Sequence, residues 1–244
     1  MSYIILLSQL FIFCNLGHPG DYLYPKTDNT RDIYRECGLE NIISYDVFRL
    51  AITGMERIDE LQNRNVITII DFSKPSTRER LFVVDLKNKK ILYKSLVAHG
   101  KNSGGDMASS FSNSPRSLKS SLGFYRTAET YSGKYGYSLK LDGLEPGIND
   151  NARKRGIVVH GADFVSSEIA RDCGLLGRSY GCPALPVYKA KAIIDIISNG
   201  SCLFIYGKDA GYLKNSKILN GPQREFVTSI NNVRQTTISP RIGS

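Results

Sequence analysis

The chain alternates between apolar runs and polar, Gly- and Asn-rich stretches, and the period of the apolar positions changes along it. Between Ser44 and Leu61, Val47, Leu50, Ala51, Met55, Ile58 and Leu61 recur near every 3.6 residues, which predicts a helix with Ser44 as its cap. From Val66 the pattern shortens to β-branched runs. Val66–Phe72, Arg80–Leu86 and Ile91–Ala98 are expected strands, and the polar Lys87-Asn88-Lys89-Lys90 between the last two marks a hairpin. Leu122–Thr127, Tyr135–Leu141, Gly156–His160 and Ser201–Tyr206 read as further strands. A second helix is expected over Pro186–Asn199, with Pro186 near its first turn, Ile193, Ile194 and Ile197 on one face, and Gly200 at its stop. Between the strands, about Gly100 to Ser121, lies a long Ser-, Gly- and Asn-rich loop of the kind that is functional or disordered. The fold class is therefore mainly β with a few flanking helices, built as a sandwich or open barrel.

The ends read differently. Residues Tyr3–Leu16 are uncharged and mostly apolar, too short to span a bilayer but of signal-peptide length. No Lys or Arg precedes them and no small-residue cleavage site follows. The expected organisation is a signal peptide or anchor over 1–17, a linker and helical segment over 18–62, a catalytic domain over 63–210 and a mobile polar tail over 211–244. The linker itself covers Gly17 to Thr30. Export to the periplasm or cell envelope is expected, with membrane association only through the N-terminal segment.

Composition narrows the chemistry. The 244 residues are 41% hydrophobic, with no Trp but 14 Tyr and 10 Phe to fill a core. Lys and Arg number 32 against 23 Asp and Glu, a formal net charge of +9, which favours anionic partners. The basic residues are scattered, and no zinc-finger spacing or RNA-binding aromatic motif accompanies them, so nucleic acid is not expected as a partner. Five cysteines without C-x-x-C spacing do not make a disulfide framework.

Three histidines are present: His18, in the linker, and His99 and His160, each at the end of an apolar run and followed by Gly. Cys182 stands between Gly181 and Pro183, on a tight and stiff backbone. That presents a thiol at a turn, whereas Cys202, inside CLFIY, reads as core. A thiol with pKa of about 8.5 needs a base, and His160 can take its proton and return it to a leaving amine. The oxyanion then needs backbone N–H groups. Pro183 has none, so Tyr180, Gly181 and Cys182 are the candidates. Asp163 or a backbone carbonyl could orient the imidazole. A zinc site drawn from His99, His160, Asp163 and Cys182 lacks the usual ligand spacing; no metal and no cofactor are expected.

These residues stand in the segment VVHGADFVSSEIARDCGLLGRSYGCPAL, which resembles the active-site signature of the L,D-transpeptidases: a His-Gly pair, here His160-Gly161, then Ser/Thr-x-Gly-Cys, here Ser179-Tyr180-Gly181-Cys182. The similarity runs from about Asp71 to Tyr206 and is nearest to the murein L,D-transpeptidase catalytic domain family. The spacer from His160 to Ser179 holds 18 residues, slightly long for that family. Tyr180 stands where many relatives have His, Pro183 replaces an aliphatic residue, and Ala184 replaces an Asn or Arg.

The resemblance implies a β-rich domain and a cysteine acyl-enzyme. A peptidoglycan stem tetrapeptide would be the donor and D-alanine the leaving group, with neither ATP nor metal. Cys182 is then the nucleophile and His160 the base. Gly161 fixes the histidine's backbone, Ser179 supports the turn and Gly181 contributes to the oxyanion hole. Arg178 is positioned for a substrate carboxylate, and Tyr125, Tyr137 and Asn149 are expected near the substrate. Carbapenem acylation of Cys182 is a further implication. An L,D-carboxypeptidase or endopeptidase using water at the same site, and a non-catalytic wall-binding protein, are the alternatives.

Overall fold

The computed structural model describes residues 28–221. The apolar stretch at 3–16, His18, most of the linker and the tail beyond 221 lie outside these described residues. No helix among them is long and apolar enough to cross a membrane.

Eight strands form one sheet: β1 (Asn63–Asp71), β2 (Leu81–Asp85), β3 (Lys90–Ser95), β4 (Gly123–Gly133), β5 (Gly136–Gly143), β6 (Val158–Gly161), β7 (Ala184–Leu185) and β8 (Ser201–Tyr206). Their order across the sheet is β3-β2-β1-β8-β4-β5-β6-β7. An isolated bridge from Ala98, just past β3, to Ala184 in β7 brings the two edges together, so the sheet is nearly closed and barrel-like. The mainly β architecture expected from the apolar runs is the one observed.

The interior strands β1 and β8 run parallel, and Ile67–Asp71 face Cys202–Tyr206 in register. Ile67, Ile69, Ile70, Leu203, Phe204 and Ile205 are all at most 1% exposed. That explains why these runs read as continuous apolar stretches rather than alternating ones: a strand covered on both faces has no polar side. Phe124 of β4 stacks on Phe204 of β8 with centroids 4.3 Å apart.

Of the helices, α1 is Asp28–Glu36 and α2 is Tyr45–Glu56. Ser44 caps α2 by accepting from the Val47 N–H at 3.3 Å, as its sequence position predicts. Gly54, in the last turn, costs helix stability but allows the close packing: a Cβ there would lie 1.9 Å from the Phe124 ring. Helix α3 is Ser167–Cys173 and α4 is Val187–Ile197, with Pro186 as its N-cap residue.

Three expectations differ. Residues 28–30 belong to α1 and not to the linker, and Thr30 is buried. Residues from Gly211 to Gly221, expected to begin a mobile tail, fold as α5 (Ala210–Asn215) and α6 (Lys217–Asn220). The anchor is Glu145, buried at 1% exposure: it accepts from the Phe124 N–H at 2.8 Å, from the Tyr212 hydroxyl at 3.1 Å and from the Ser216 hydroxyl. Burial raises the pKa of this carboxyl against those three donors. The long Gly100–Ser121 loop is tied down rather than free. Arg155 donates to the carbonyls of Ser112 (2.7 Å) and Lys119 (2.5 Å) and to the hydroxyls of Ser117 (3.2 Å) and Ser121 (3.1 Å).

Candidate active site

The turn that carries the thiol is locked by Ser179. Its hydroxyl donates to the Cys182 carbonyl at 2.6 Å and accepts from the Gly181 N–H at 3.0 Å. Gly181 has φ +126°, and a Cβ there would meet the Lys119 carbonyl at 2.8 Å and Ile157 at 2.9 Å. No other residue type fits without strain. The Gly181 carbonyl accepts from Ser120 at 3.0 Å, and Ser120 in turn accepts from the Gly100 N–H at 3.0 Å. The 100–121 loop is therefore laid directly against the Ser179–Cys182 turn.

Cys182 is not exposed at the surface as a turn position suggests. It is 6% exposed and belongs to the apolar core. Its sulfur accepts weakly from the Val158 N–H at 3.4 Å and donates to the Gly156 carbonyl at 3.6 Å. Burial raises the thiol pKa, opposed by the Val158 N–H and by the charge of Arg155.

His160 is the penultimate residue of β6, opposite Ala184 and so two residues further along than Cys182. Its Nδ1 lies 2.8 Å from the Gly161 carbonyl. A carbonyl only accepts, so Nδ1 carries the proton and Nε2 keeps the lone pair a base needs. Tyr135, at the tip of the β4–β5 hairpin, stacks on the ring with centroids 4.6 Å apart and planes 23° from parallel. Burial lowers the pKa of this imidazole, with the Gly161 carbonyl acting in the opposite direction. Among the described residues no hydrogen bond joins sulfur to imidazole. At rest both groups are biased toward their neutral forms, on adjacent chain segments.

The remaining expected residues divide. The N–H of Gly181 is occupied by Ser179, whereas those of Tyr180 and Cys182 have no acceptor among the described residues. Tyr137 lines a recess of about 590 Å³ together with His160, Tyr135 and Asp163, and its hydroxyl donates to Asp195 at 2.7 Å. Arg178 lines a separate recess with Lys101, Cys173 and the 65% exposed Tyr180, and donates to the Gly104 carbonyl at 3.0 Å.

Tyr125 and Asn149 are corrections, because both are fully buried in structural roles. The Tyr125 hydroxyl donates to the Ser121 carbonyl at 2.9 Å. Asn149 donates to the carbonyls of Leu122 and Phe124 and accepts from the Glu145 N–H.

His99 is also structural. Arg80, itself fully buried, donates to its Nδ1 at 2.8 Å, and burial and that guanidinium lower its pKa to about 4. Among the described residues no three His, Cys, Asp or Glu side chains converge as metal ligands.

Sequence reading missed Arg155 and Tyr135. The first was one of the scattered basic residues, and the second the opening residue of an expected strand. Tyr135 reaches His160 from the β4–β5 turn, and Arg155 reaches the 112–121 loop from the turn before β6, contacts that no local pattern displays.

The nearly closed sheet thus sets a Ser-x-Gly-Cys turn next to a strand whose histidine is held by a backbone carbonyl. Residues 39–206 match the family described as L,D-transpeptidase catalytic domain, and the chain belongs to that family. The match begins at Leu39 and so takes in α2, earlier than the expected boundary at 63. A comparison with curated proteins gives no match.

Among solved structures, an L,D-transpeptidase from Mycobacterium smegmatis is 14% identical over 59% of each chain, with a TM-score of 0.37. L,D-transpeptidase 3 from Mycobacterium tuberculosis is 12% identical, over 59% of this chain and 61% of that one, at 0.38. The K307A mutant of the helical cell shape determining protein Pgp2 from Campylobacter jejuni is 17% identical, over 66% of this chain and 54% of that one, at 0.40. The chain thus spans less than two thirds of the length of these structures.

Proposed function

We propose that the protein is a peptidoglycan L,D-transpeptidase that works through a Cys182 thioester. The observation that carries the reading is the tautomer of His160 together with its strand register: Nδ1–H is committed to the Gly161 carbonyl, which leaves Nε2 with its lone pair, and β6 pairs His160 with Ala184, two residues past Cys182. In the reaction the Cys182 thiol turns from the Gly156 carbonyl and gives its proton to Nε2. The sulfur bonds to the carbonyl carbon of the third residue of a stem tetrapeptide. The oxyanion that forms is held by the N–H groups of Tyr180 and Cys182. As the amide C–N bond breaks, His160 returns the proton to the departing D-alanine. An acceptor amine then attacks the thioester, loses its proton to Nε2, and the sulfur leaves to be reprotonated. Catalytic hydrogen bonds that are long or absent in a free enzyme tighten when substrate binds.

Because the donor lies outside the cytoplasmic membrane, the protein acts in the cell envelope, and the apolar stretch at 3–16 is its export signal. The test is incubation with a disaccharide-tetrapeptide and an amine acceptor, read by mass. Cross-linked dimers establish a transferase and tripeptides a hydrolase; no change, or full activity in Cys182→Ala, removes the assignment. A meropenem adduct on Cys182, seen by intact mass, is the expected companion result.

A further inference from the structure

Helix α4 separates two concavities. Val187 and Lys191 of its first turns line the recess that contains His160. Tyr188 and Lys189 line a larger one, about 1070 Å³, on the other side, bounded by the β1–β2 connection, β3 and α3.

The charge of this second cleft is unbalanced. Lys74, Arg78, Lys94, Arg171 and Lys189 line it against a single acid, Glu79. Glu79 is taken by Lys189 at 3.5 Å, and Arg171 pairs with Asp172 at 3.4 Å. Lys74, Arg78 and Lys94 have no carboxylate within ion-pair distance among the described residues. Lys74 is the most constrained. Its ammonium donates to the Ile42 carbonyl, lies 4.9 Å over the Phe82 ring, and is partly withdrawn from water. The nearby Asp71 carboxylate is engaged by the Ser73 hydroxyl at 2.6 Å. Three unneutralised cations in one concavity repel one another, and a concave low-dielectric wall focuses their field on whatever enters.

The lining is also partly apolar. Phe82, Leu96 and Pro186 lie among the cations, and Tyr188 stands 75% exposed beside them. A phosphate polymer offers nothing to such apolar groups. A short peptide with carboxylates spaced between methyl and methylene groups does, and an exposed tyrosine offers a face to an adjoining sugar ring.

We propose that this cleft is a second binding site, for carboxylate-bearing stem peptides of polymeric wall material, distinct from the site of bond making. The identity of the polymer rests on the transpeptidase reading; the anionic, partly apolar character of the ligand does not. The cleft holds the enzyme on its polymer while His160 and Cys182 act on another stem.

The test uses the full chain with Cys182→Ala, so that nothing turns over, pelleted with purified peptidoglycan sacculi. Lys74→Glu, Arg78→Glu and Lys94→Glu together lower the sacculus affinity at least about tenfold, as loss of three ion pairs of modest strength implies. The Arg78→Glu, Lys94→Glu pair, confined to exposed positions, gives an intermediate loss and guards against misfolding of the triple variant. Amidating the sacculus carboxylates weakens binding of the unaltered cleft to a similar degree. With Cys182 restored, turnover of a soluble disaccharide-tetrapeptide stays within about twofold.

Unchanged pelleting of the folded double variant, or unchanged pelleting on amidated sacculi, overturns the proposal. So does tighter binding of a single-stranded oligonucleotide or of polyphosphate to the same lysines and arginine. If the unaltered chain fails to turn over the soluble substrate, the transpeptidase reading falls, while pelleting still reports on the cleft.

Discussion

Iodoacetamide offered to the folded chain at pH 7 should modify Cys173 before Cys182. Alkylation needs both contact and thiolate. Cys173 ends α3 with its side chain exposed, whereas Cys182 is 6% exposed and its sulfur is engaged by the Gly156 carbonyl and the Val158 N–H. An ordinary thiol of pKa about 8.5 is ~3% ionised at pH 7, and each unit of upward shift removes a further factor of about ten. Burial moves Cys182 in that direction. Restricted access multiplies the ionisation penalty, so Cys173 should react at least about tenfold faster than Cys182, and faster too than the buried Cys37 and Cys202. His160→Ala sharpens the test. If thiol and imidazole rest as a neutral pair, removing the ring changes the resting alkylation rate of Cys182 less than about threefold. It should nevertheless lower turnover by about 10²–10⁴, the usual contribution of a general base. The assay is a timed quench followed by digestion, with each cysteine peptide quantified by mass. Faster labelling of Cys182 than of Cys173, or a collapse of its labelling in His160→Ala, would show a thiolate–imidazolium pair and refute the reasoning.

The acid limb of kcat/KM against pH should fall below 6.5, because burial lowers the His160 pKa and the base must be neutral to act. Tyr135→Ala uncovers that ring, so the limb should move up toward 6.5 while kcat/KM drops roughly 2- to 12-fold, the worth of one aromatic stack; a limb that stays put would assign Tyr135 to packing alone. Gly181→Ala should cost about 2 kcal/mol or more, seen as a Tm lower by about 4–8 °C, because it forces a Cβ against the Lys119 carbonyl at φ +126°. Glu145→Ala should cost about 2–4 kcal/mol in chemical denaturation, since the Phe124 N–H is left buried without an acceptor, whereas Glu145→Gln keeps one and costs under about 1. The native Glu145 carboxyl has a raised pKa, so the folded state holds a proton that the unfolded chain has lost. Stability therefore falls as pH rises from about 4.5 through the folded value, and Glu145→Gln should flatten that slope.

Element by element, what the sequence displayed was whatever depends on near neighbours. Ser201–Tyr206 was legible to the residue because a strand buried on both faces is apolar throughout. Ser44 was legible as a cap because capping is a contact over three residues. By contrast, β7 is two residues long and has no period to detect. Helices α5 and α6 are short and polar, and they hold their place through Glu145, more than sixty residues earlier in the chain. Within the site, the Ser179-to-Cys182 turn carried its own signature, since its hydrogen bonds span three residues or fewer. The burial of Cys182, Tyr125 and Asn149 did not. A tyrosine or an asparagine in a strand or turn looks the same whether its polar atoms face a substrate or a buried carbonyl.

The sheet is completed out of order. Strand β8 is the last strand in the described chain, yet it lies between β1 and β4 and is the only strand joining the β1–β3 meander to the half that carries His160 and Cys182. A growing polypeptide therefore contains both His160 and Cys182 before it can assemble the barrel that holds them, because Ser201–Tyr206 arrives afterwards. The long-range pairings that β8 makes are of the kind that slow folding. The closed surroundings in which Cys182 is buried are thus complete only once the last strand is inserted.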